Sequence, residues 1–139
     1  MEILKTKSSI YVCSNMKVAI IDDDSIFQFT TKVKFEKLEL ANEVLIFNDG
    51  EEVLEYIKAN DIGNLPNILL LDINMPIVDG WDFLEMYKNI EVEKQNVMKI
   101  YMLSSSINPD DVKRAESNVF VKDYITKPIR DEDLTKIFD

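Results

Sequence analysis

Histidine is absent from this 139-residue sequence, and cysteine occurs once, at Cys13. The absence of histidine excludes Ser-His-Asp and Cys-His catalytic schemes, zinc sites built on histidine, and a role as a phosphohistidine carrier. A single cysteine cannot form an internal disulfide, which fits a reducing, cytoplasmic location. The chemistry of this protein must therefore rest on carboxylates, hydroxyls and lysines.

Basic residues and long apolar runs are also scarce. Sixteen Lys and Arg against 26 Asp and Glu give a net charge of −10, which argues against binding nucleic acid or an anionic membrane surface. No apolar run approaches the ~18 residues of a membrane span. The apolar run at 10–13 is too short for the core of a signal peptide. We expect 1–15 to be an N-terminal extension, with Met16 a possible native start, and 16–139 to form one domain.

Short apolar runs alternate with segments of helical periodicity. The apolar runs predict strands at 18–21, 44–47, 68–71, 100–103 and 119–125. The periodic segments predict helices at 25–40, 51–59, 81–90, 109–117 and 131–138. In the first of these helices the apolar residues Ile26, Phe29, Val33 and Leu38 recur at close to helical spacing. Strands that alternate with helices indicate a (βα)5 doubly wound α/β domain with a parallel sheet.

Asp72 is placed where chemistry is expected in such a fold. It follows four consecutive branched apolar residues, which are typical of a strand buried on both faces, and Pro76 and Gly80 then interrupt regular structure. Open α/β sheets carry their functional groups at the carboxyl ends of the strands. On this segment alone, Asp72 is either a nucleophile or metal ligand, or a cap of the next helix.

Polar residues follow the other predicted strands as well. Asp22 and Asp23 follow the first strand, Ser104 follows the fourth and Lys127 follows the fifth, so all should meet Asp72 at one sheet edge. Two like charges ~4 Å apart at an effective dielectric of about 20 repel by about 4 kcal/mol, so the cluster calls for cations. Lys127 and Mg²⁺ are the candidates. Such a cluster suits phosphoryl transfer onto Asp72 as an acyl phosphate.

The motifs at these strand ends resemble those of the response-regulator receiver domain of two-component signalling. The resemblance covers 16–139 and rests on four motifs in order: Ile20-Ile21-Asp22-Asp23-Asp24, Leu71-Asp72-Ile73-Asn74-Met75-Pro76 with Asp79-Gly80, Leu103-Ser104-Ser105, and Tyr124-Ile125-Thr126-Lys127-Pro128. It implies a flavodoxin-like fold with strand order 2-1-3-4-5.

The resemblance also implies roles for the residues at the acidic site. Asp72 would be the phosphoacceptor and a ligand of Mg²⁺. Asp23 would bind the metal directly and Asp22 through water, and Asn74 would supply its backbone carbonyl.

The remaining motif residues would contact the phosphoryl group or report on it. Lys127 would contact the phosphoryl group, and its bond to Pro128 would be cis. Ser104 would be the switch hydroxyl, and the backbone amide of Ser105 would also reach the phosphate. Tyr124 would be the switch aromatic, turning inward when Ser104 moves towards the phosphate.

The implied function is that of a stand-alone receiver, a signalling protein rather than a turnover enzyme. Its partners would be a sensor histidine kinase or a histidine phosphotransfer protein, and a downstream effector protein. We expect Asn74 and Ser106 to flank the path of the water that hydrolyses the acyl phosphate.

Two alternatives stay open. The protein could be a phosphorelay intermediate, passing the group on to a histidine phosphotransfer protein. It could also be a small Mg²⁺-dependent phosphatase, although Asn74 stands where such enzymes usually carry a second acid.

Overall fold

Five short runs of branched apolar residues form one parallel sheet. The computed structural model describes residues 16–105 and 107–138; the expected extension at 1–15 and Ser106 lie outside these ranges. The strands are β1 (Lys17–Ile21), β2 (Glu43–Phe47), β3 (Ile68–Asp72), β4 (Lys99–Ser104) and β5 (Val121–Thr126). Their order is β2-β1-β3-β4-β5, and every neighbouring pair is parallel. The predicted flavodoxin-like fold is therefore confirmed.

A helix follows each strand. The helices are α1 (Ser25–Lys37), α2 (Gly50–Ala59), α3 (Gly80–Tyr87), α4 (Pro109–Glu116) and α5 (Asp131–Phe138). The side chains of Asp24, Asp49, Asp79 and Asn108 accept backbone N–H bonds at the N-termini of α1 to α4. Two short segments were not predicted, a 3-10 turn at Ile62–Asn64 and a helical turn at Val92–Gln95, because neither is long enough to show periodicity. In the part of the chain described, no helix has the length and apolar character that crossing a membrane requires.

The core lies in two layers, one on each face of the sheet. All five residues of β3 are buried. Leu69 and Leu71 belong to one apolar cluster, and Ile68 and Leu70 to the other. This alternation follows from the period of two along a strand and requires helices on both faces. The buried strand thus ends in a carboxylate that has apolar cover on each side.

The orientation of α1 differs from what its apolar spacing suggests. Ile26, Phe29 and Val33 are 75%, 67% and 40% exposed. The buried positions are instead Phe27, Thr31 and Phe35, one helical turn apart. The helix is apolar on two faces, and the larger Phe27 and Phe35 rings occupy the core while the other apolar face is exposed to solvent.

The start of β5 also differs from the prediction. The strand begins at Val121, whereas the apolar run suggested position 119, and Val119 is 89% exposed. The side chain of Asn118 accepts the N–H of Phe120 at 2.9 Å, and the carbonyl of Asn118 accepts the N–H of Val121 at 3.2 Å. Asn118 therefore makes a local turn that holds Val119 out of the sheet.

Candidate functional site

The pairing of β1 with β3 brings Asp22 and Asp72 together. Ile21 is in register with Leu71, so the acid that follows each residue lies at the same sheet edge. Asp22 is fully buried, Asp72 is 5% exposed, and Asp23 is exposed. One carboxylate oxygen from each of these three residues lies within 4.8 Å of the other two. The three acids therefore share one pocket.

The neighbouring Asp24 does not join this acidic trio. Its side chain accepts the N–H groups of Ile26 at 3.0 Å and Phe27 at 3.2 Å, which makes it the N-cap of α1. Its own backbone N–H donates to Oδ1 of Asp22 at 2.9 Å. The start of α1 thus orients the buried carboxylate.

Lys127 brings a positive charge to the pocket from the end of β5. Its Nζ lies 2.7 Å from Oδ2 of Asp22 and 3.6 Å from Oδ1 of Asp72. The backbone N–H of Lys127 donates to the carbonyl of Ser104 at 2.8 Å, and the Lys127–Pro128 bond is cis. A single lysine therefore contacts two of the three acids.

The electrostatics of the pocket make ionisation of Asp72 less favourable than usual when no other cation is bound. Burial raises the pKa of Asp72 to about 6, from an ordinary value of 3.8, and the charge of Asp22 adds to the increase. Lys127 and the backbone N–H of Asn74 partly offset it. Burial lowers the pKa of Lys127, but the hydrogen bond to Asp22 and the surrounding carboxylates outweigh burial, so its pKa is raised and it stays charged. One ammonium does not neutralise three carboxylates.

The donor set fits a magnesium ion. Carboxylate oxygens are the hard ligands that Mg²⁺ takes, and it usually keeps several waters as well. Three such oxygens converge here, and only Lys127 is within ion-pairing distance of Asp22 and Asp72 in the described ranges. The exposure of Asp23 leaves room for water ligands. The acidic trio is therefore consistent with a receiver-type Mg²⁺ site.

Gly80 allows α3 to begin directly against the strand end that carries Asp72. A Cβ atom at position 80 would lie 2.7 Å from the carbonyl oxygen of Asp72 and 3.0 Å from Cα of Ile73. The backbone N–H of Gly80 also donates to the carbonyl of Ile73 at 2.9 Å. A side chain at this position would push α3 away or displace the acidic strand end.

The hydroxyl residues lie on the neighbouring strands. Ser104 ends β4 and is 2% exposed, and Ser105 after it is exposed. Leu103 is in register with Asp72, so Ser104 reaches the same edge. Tyr124 is half-buried on β5, in register with Met102, and packs against the apolar cluster on one face of the sheet. Ser106 lies outside the described residues.

Two residues at the site were not predicted from the sequence. The ring of Phe27 lies under Lys127, with Nζ 4.8 Å from its centroid. The side-chain amide of Gln28 donates to the carbonyl of Asp22 and, at 2.9 Å, to Oδ1 of Asn48. The only feature of the sequence that pointed to Phe27 or Gln28 was its position in the first turn of a helix that begins beside Asp22.

A carboxylate pocket with a lysine, at the carboxyl edge of this five-stranded parallel sheet, is the arrangement of a phosphoaccepting signalling domain. Residues 18–139 match the profile of the response regulator receiver domain. The chain belongs to that family, whose members are signalling proteins rather than turnover enzymes.

Individual relatives agree with this assignment. The chain is 30% identical over 121 residues to the probable methanogenesis regulatory protein FilR2 of Methanothrix harundinacea, covering 86% of this chain and 76% of FilR2. It is 31% identical over 120 residues to protein PilG of Pseudomonas aeruginosa, covering 86% and 82%. A crystal structure of a two component response regulator from Cytophaga hutchinsonii superposes with a TM-score of 0.77 at 30% identity, covering 86% and 90%.

Proposed function

We propose that this protein accepts a phosphoryl group on Asp72 from the phosphohistidine of a sensor histidine kinase or a histidine phosphotransfer protein. The observation that carries the proposal is the environment of Asp72. Its carboxylate is almost fully buried, shares a pocket with Asp22 and Asp23, and lies 3.6 Å from a lysine ammonium. A carboxylate so placed is oriented for attack and has a cation beside the oxygens of an incoming phosphoryl group.

The chain's own residues account for most of the transfer step. An oxygen of Asp72 forms a bond to phosphorus while the phosphorus–nitrogen bond to the donor imidazole breaks, and the imidazole leaves with a proton taken from solvent. The product at Asp72 is an acyl phosphate. Lys127 is close enough to turn from Asp22 towards the transferred oxygens and balance part of their charge.

Asp22, Asp23, Asp72 and the backbone carbonyl of Asn74 would hold Mg²⁺. When bound, the ion would neutralise negative charge on the transferring phosphoryl oxygens. In its absence Asp72 has its raised pKa because burial and Asp22 disfavour the ionised form. Because Lys127 alone does not neutralise the three carboxylates, we expect labelling to require the metal.

Residues at the ends of β4 and on β5 would transmit the change caused by phosphorylation to the surface where an effector binds. Phosphorylation adds a charge of about −1.5 to −2 at neutral pH, which attracts hydrogen-bond donors. In our proposal Ser104 moves towards the new group, the backbone amide of Ser105 contacts it, and Tyr124 turns into the space that Ser104 leaves. The half-buried ring of Tyr124 supports this role, because it borders both the core and the surface where an effector would bind.

Hydrolysis would reset the protein. Water attacks phosphorus, the bond between phosphorus and the Asp72 oxygen breaks, and inorganic phosphate leaves. Asn74 is exposed two residues after Asp72. In our proposal, Asn74 and Ser106 flank the path of that water. Exchanging Asn74 or Ser106 should therefore change the dephosphorylation rate, and an unchanged rate would contradict this role.

Exposed apolar residues at the same sheet edge support docking of a phosphohistidine protein. Ile26 and Phe29 lie on the exposed face of α1, Ile77 follows β3 and Ile107 follows β4, and each is at least 67% exposed. Ile77 also has a positive φ of 68°, which is strained for a β-branched residue. A donor histidine can reach Asp72 only from this edge, so we assign these four residues, the edge patch, to the contact with that partner.

The decisive experiment is Mg²⁺-dependent labelling by a small phosphodonor such as acetyl phosphate. Wild-type protein should take up one phosphoryl group per chain, and Asp72→Asn should take up none. Asp61→Asn serves as a matched control, because Asp61 is exposed and its side chain caps no helix. Persistent labelling of the Asp72→Asn variant would overturn the proposal.

Two follow-up measurements separate the alternatives. Transfer of the label from Asp72 to a purified histidine phosphotransfer protein would identify a relay intermediate rather than a direct effector. Repeated turnover of a generic phosphate ester would identify a phosphatase, whereas a receiver gives stoichiometric labelling only.

A further inference from the structure

A cavity of about 360 Å³ opens at the amino-terminal edge of the sheet, far from the acidic pocket. Tyr87 at the end of α3, Lys99 at the start of β4 and Phe120 just before β5 all line it. Ser104 lies at the other end of β4, about 17 Å away at the usual rise per residue. The cavity is therefore separate from the site proposed for phosphorylation.

The hydroxyl of Tyr87 has no hydrogen-bond partner among the described residues. Among the described residues it is the only buried side-chain polar atom that lacks a hydrogen bond. An unsatisfied buried hydroxyl is destabilising, and such a group in a native protein calls for an explanation. Tyr87 is 1% exposed, and its ring lies 5.4 Å from Phe83 and 5.1 Å from Phe120, centroid to centroid. Burial raises the pKa of Tyr87 to about 12, so the hydroxyl keeps its proton at neutral pH.

Two lysines that border the same cavity also have no ion-pair partner in the part of the chain that is described. Within the described ranges Lys99 and Lys122 form no ion pair, although the chain carries a net charge of −10. Asp123, the neighbour of Lys122, pairs instead with Lys136 at 3.9 Å. These two lysines bring positive charge to the rim of the cavity, whereas the chain as a whole is negatively charged.

We propose that this cavity binds a small aromatic anion. The aromatic body packs between Met98 and Phe120, and the negative group lies near Lys99 and Lys122. A polar atom on the inner side of the ligand accepts a hydrogen bond from the Tyr87 hydroxyl. The cavity volume is in the range of small-molecule sites. Its lining combines the apolar side chains of Met98, Val119 and Phe120 with polar ones, namely Tyr87, Gln95, Asn96 and the two lysines.

A matched pair of fluorescent probes tests the proposal. 8-Anilinonaphthalene-1-sulfonate and N-phenyl-1-naphthylamine share one aromatic framework, and only the first is an anion. We expect the sulfonate to bind with a stoichiometry of one per chain. Replacing both rim lysines (Lys99→Gln with Lys122→Gln) should weaken sulfonate binding by roughly tenfold, because both exposed ion pairs with the negative group are lost. The affinity of the uncharged probe should not change.

The control and the location of the probe complete the experiment. Lys58→Gln with Lys113→Gln removes the same charge from exposed positions outside this cavity and should leave sulfonate binding unchanged. In amide correlation spectra the sulfonate should shift Lys99, Phe120 and Lys122. Equal loss in both double variants, equal affinity for both probes, or shifts confined to the exposed apolar face of α1 would each overturn the proposal.

Discussion

Lys127 is bound more closely to Asp22 than to Asp72, with Nζ 2.7 Å from the first carboxylate and 3.6 Å from the second. The closer ion pair of Lys127 is therefore with Asp22, which is not the proposed phosphoacceptor. Asp72 accordingly keeps a raised pKa despite having a lysine beside it. In the metal-free protein this arrangement makes the ionised Asp72 a source of instability.

We therefore predict that Asp72→Asn stabilises the metal-free protein at pH 7.5. The folded-state pKa of about 6 is higher than the ordinary 3.8, so the folded protein binds more protons than the unfolded chain between these values. Stability from this residue is full below about pH 3.8 and is lost as pH rises through about 6. The rise of this pKa from 3.8 to about 6 corresponds to at most about 3 kcal/mol of unfolding free energy.

Urea unfolding of the Asp72→Asn variant and the wild type at pH 4 and pH 7.5, without Mg²⁺, measures this effect. The stability difference should be small at pH 4 and favour the variant at pH 7.5. Adding Mg²⁺ should stabilise the wild type more than the variant. A variant that is less stable than the wild type at pH 7.5 without metal would contradict the prediction.

The placement of the strand-end residues could be predicted from the sequence because it follows from local patterns. The buried run of β3 places Asp72 at its end, and parallel pairing carries Asp22, Ser104 and Lys127 to the same edge. Which of two acids the lysine prefers could not be predicted, because Asp22 and Asp72 both end at that edge. The preference depends on side-chain positions that differ by about an ångström in their distances to Nζ.

Which face of α1 is buried could not be predicted from the sequence, for a different reason. Ile26, Phe29 and Val33 form one apolar face and Phe27, Thr31 and Phe35 form another, so periodicity alone does not decide which is buried. The capping bonds of Asp24 and the contact of Phe27 with Lys127 accompany the observed orientation. In the proposed function, Ile26 and Phe29 on this exposed face belong to the edge patch assigned to the phosphohistidine partner.

We predict that Lys127→Met destabilises the protein and tightens its binding of Mg²⁺. The substitution leaves the fully buried Asp22 without its ion pair, and breaking a buried pair typically costs about 3 kcal/mol or more. The three acids also lose a competing cation, so calorimetric titration should show a severalfold lower Kd for Mg²⁺. Lys136→Met is the control, because its contact with Asp123 is exposed and long at 3.9 Å. Weaker Mg²⁺ binding by a folded Lys127→Met protein would show that the lysine does not compete with the metal.

Replacing Ile26 and Phe29 by serine should distinguish phosphorylation of Asp72 by a small phosphodonor from phosphorylation by a histidine protein. Both side chains belong to the edge patch and neither forms part of the core, so the variant should fold and accept phosphate from acetyl phosphate at the wild-type rate. Transfer from a phosphorylated histidine protein should slow by about tenfold or more, since loss of two apolar contacts removes at least 1.4 kcal/mol of docking energy. Val92→Ser is the matched control, because Val92 is 63% exposed but lies in the segment that leads to the opposite edge of the sheet. If both donors slow equally, the residues act on the pocket and not on docking.

Two buried tyrosines should respond in opposite ways to loss of their hydroxyls. The Tyr101 hydroxyl donates to the carbonyl of Lys136 at 3.0 Å, so Tyr101→Phe should cost about 1 kcal/mol of unfolding free energy. The Tyr87 hydroxyl has no partner among the described residues, so Tyr87→Phe removes a buried polar atom without breaking a bond. We expect the Tyr87→Phe protein to be as stable as the wild type or up to about 1 kcal/mol more stable. Urea unfolding of both variants in ligand-free buffer measures the contrast. A destabilised Tyr87→Phe protein would mean that the hydroxyl has a bond in solution, to water held in the cavity beside it.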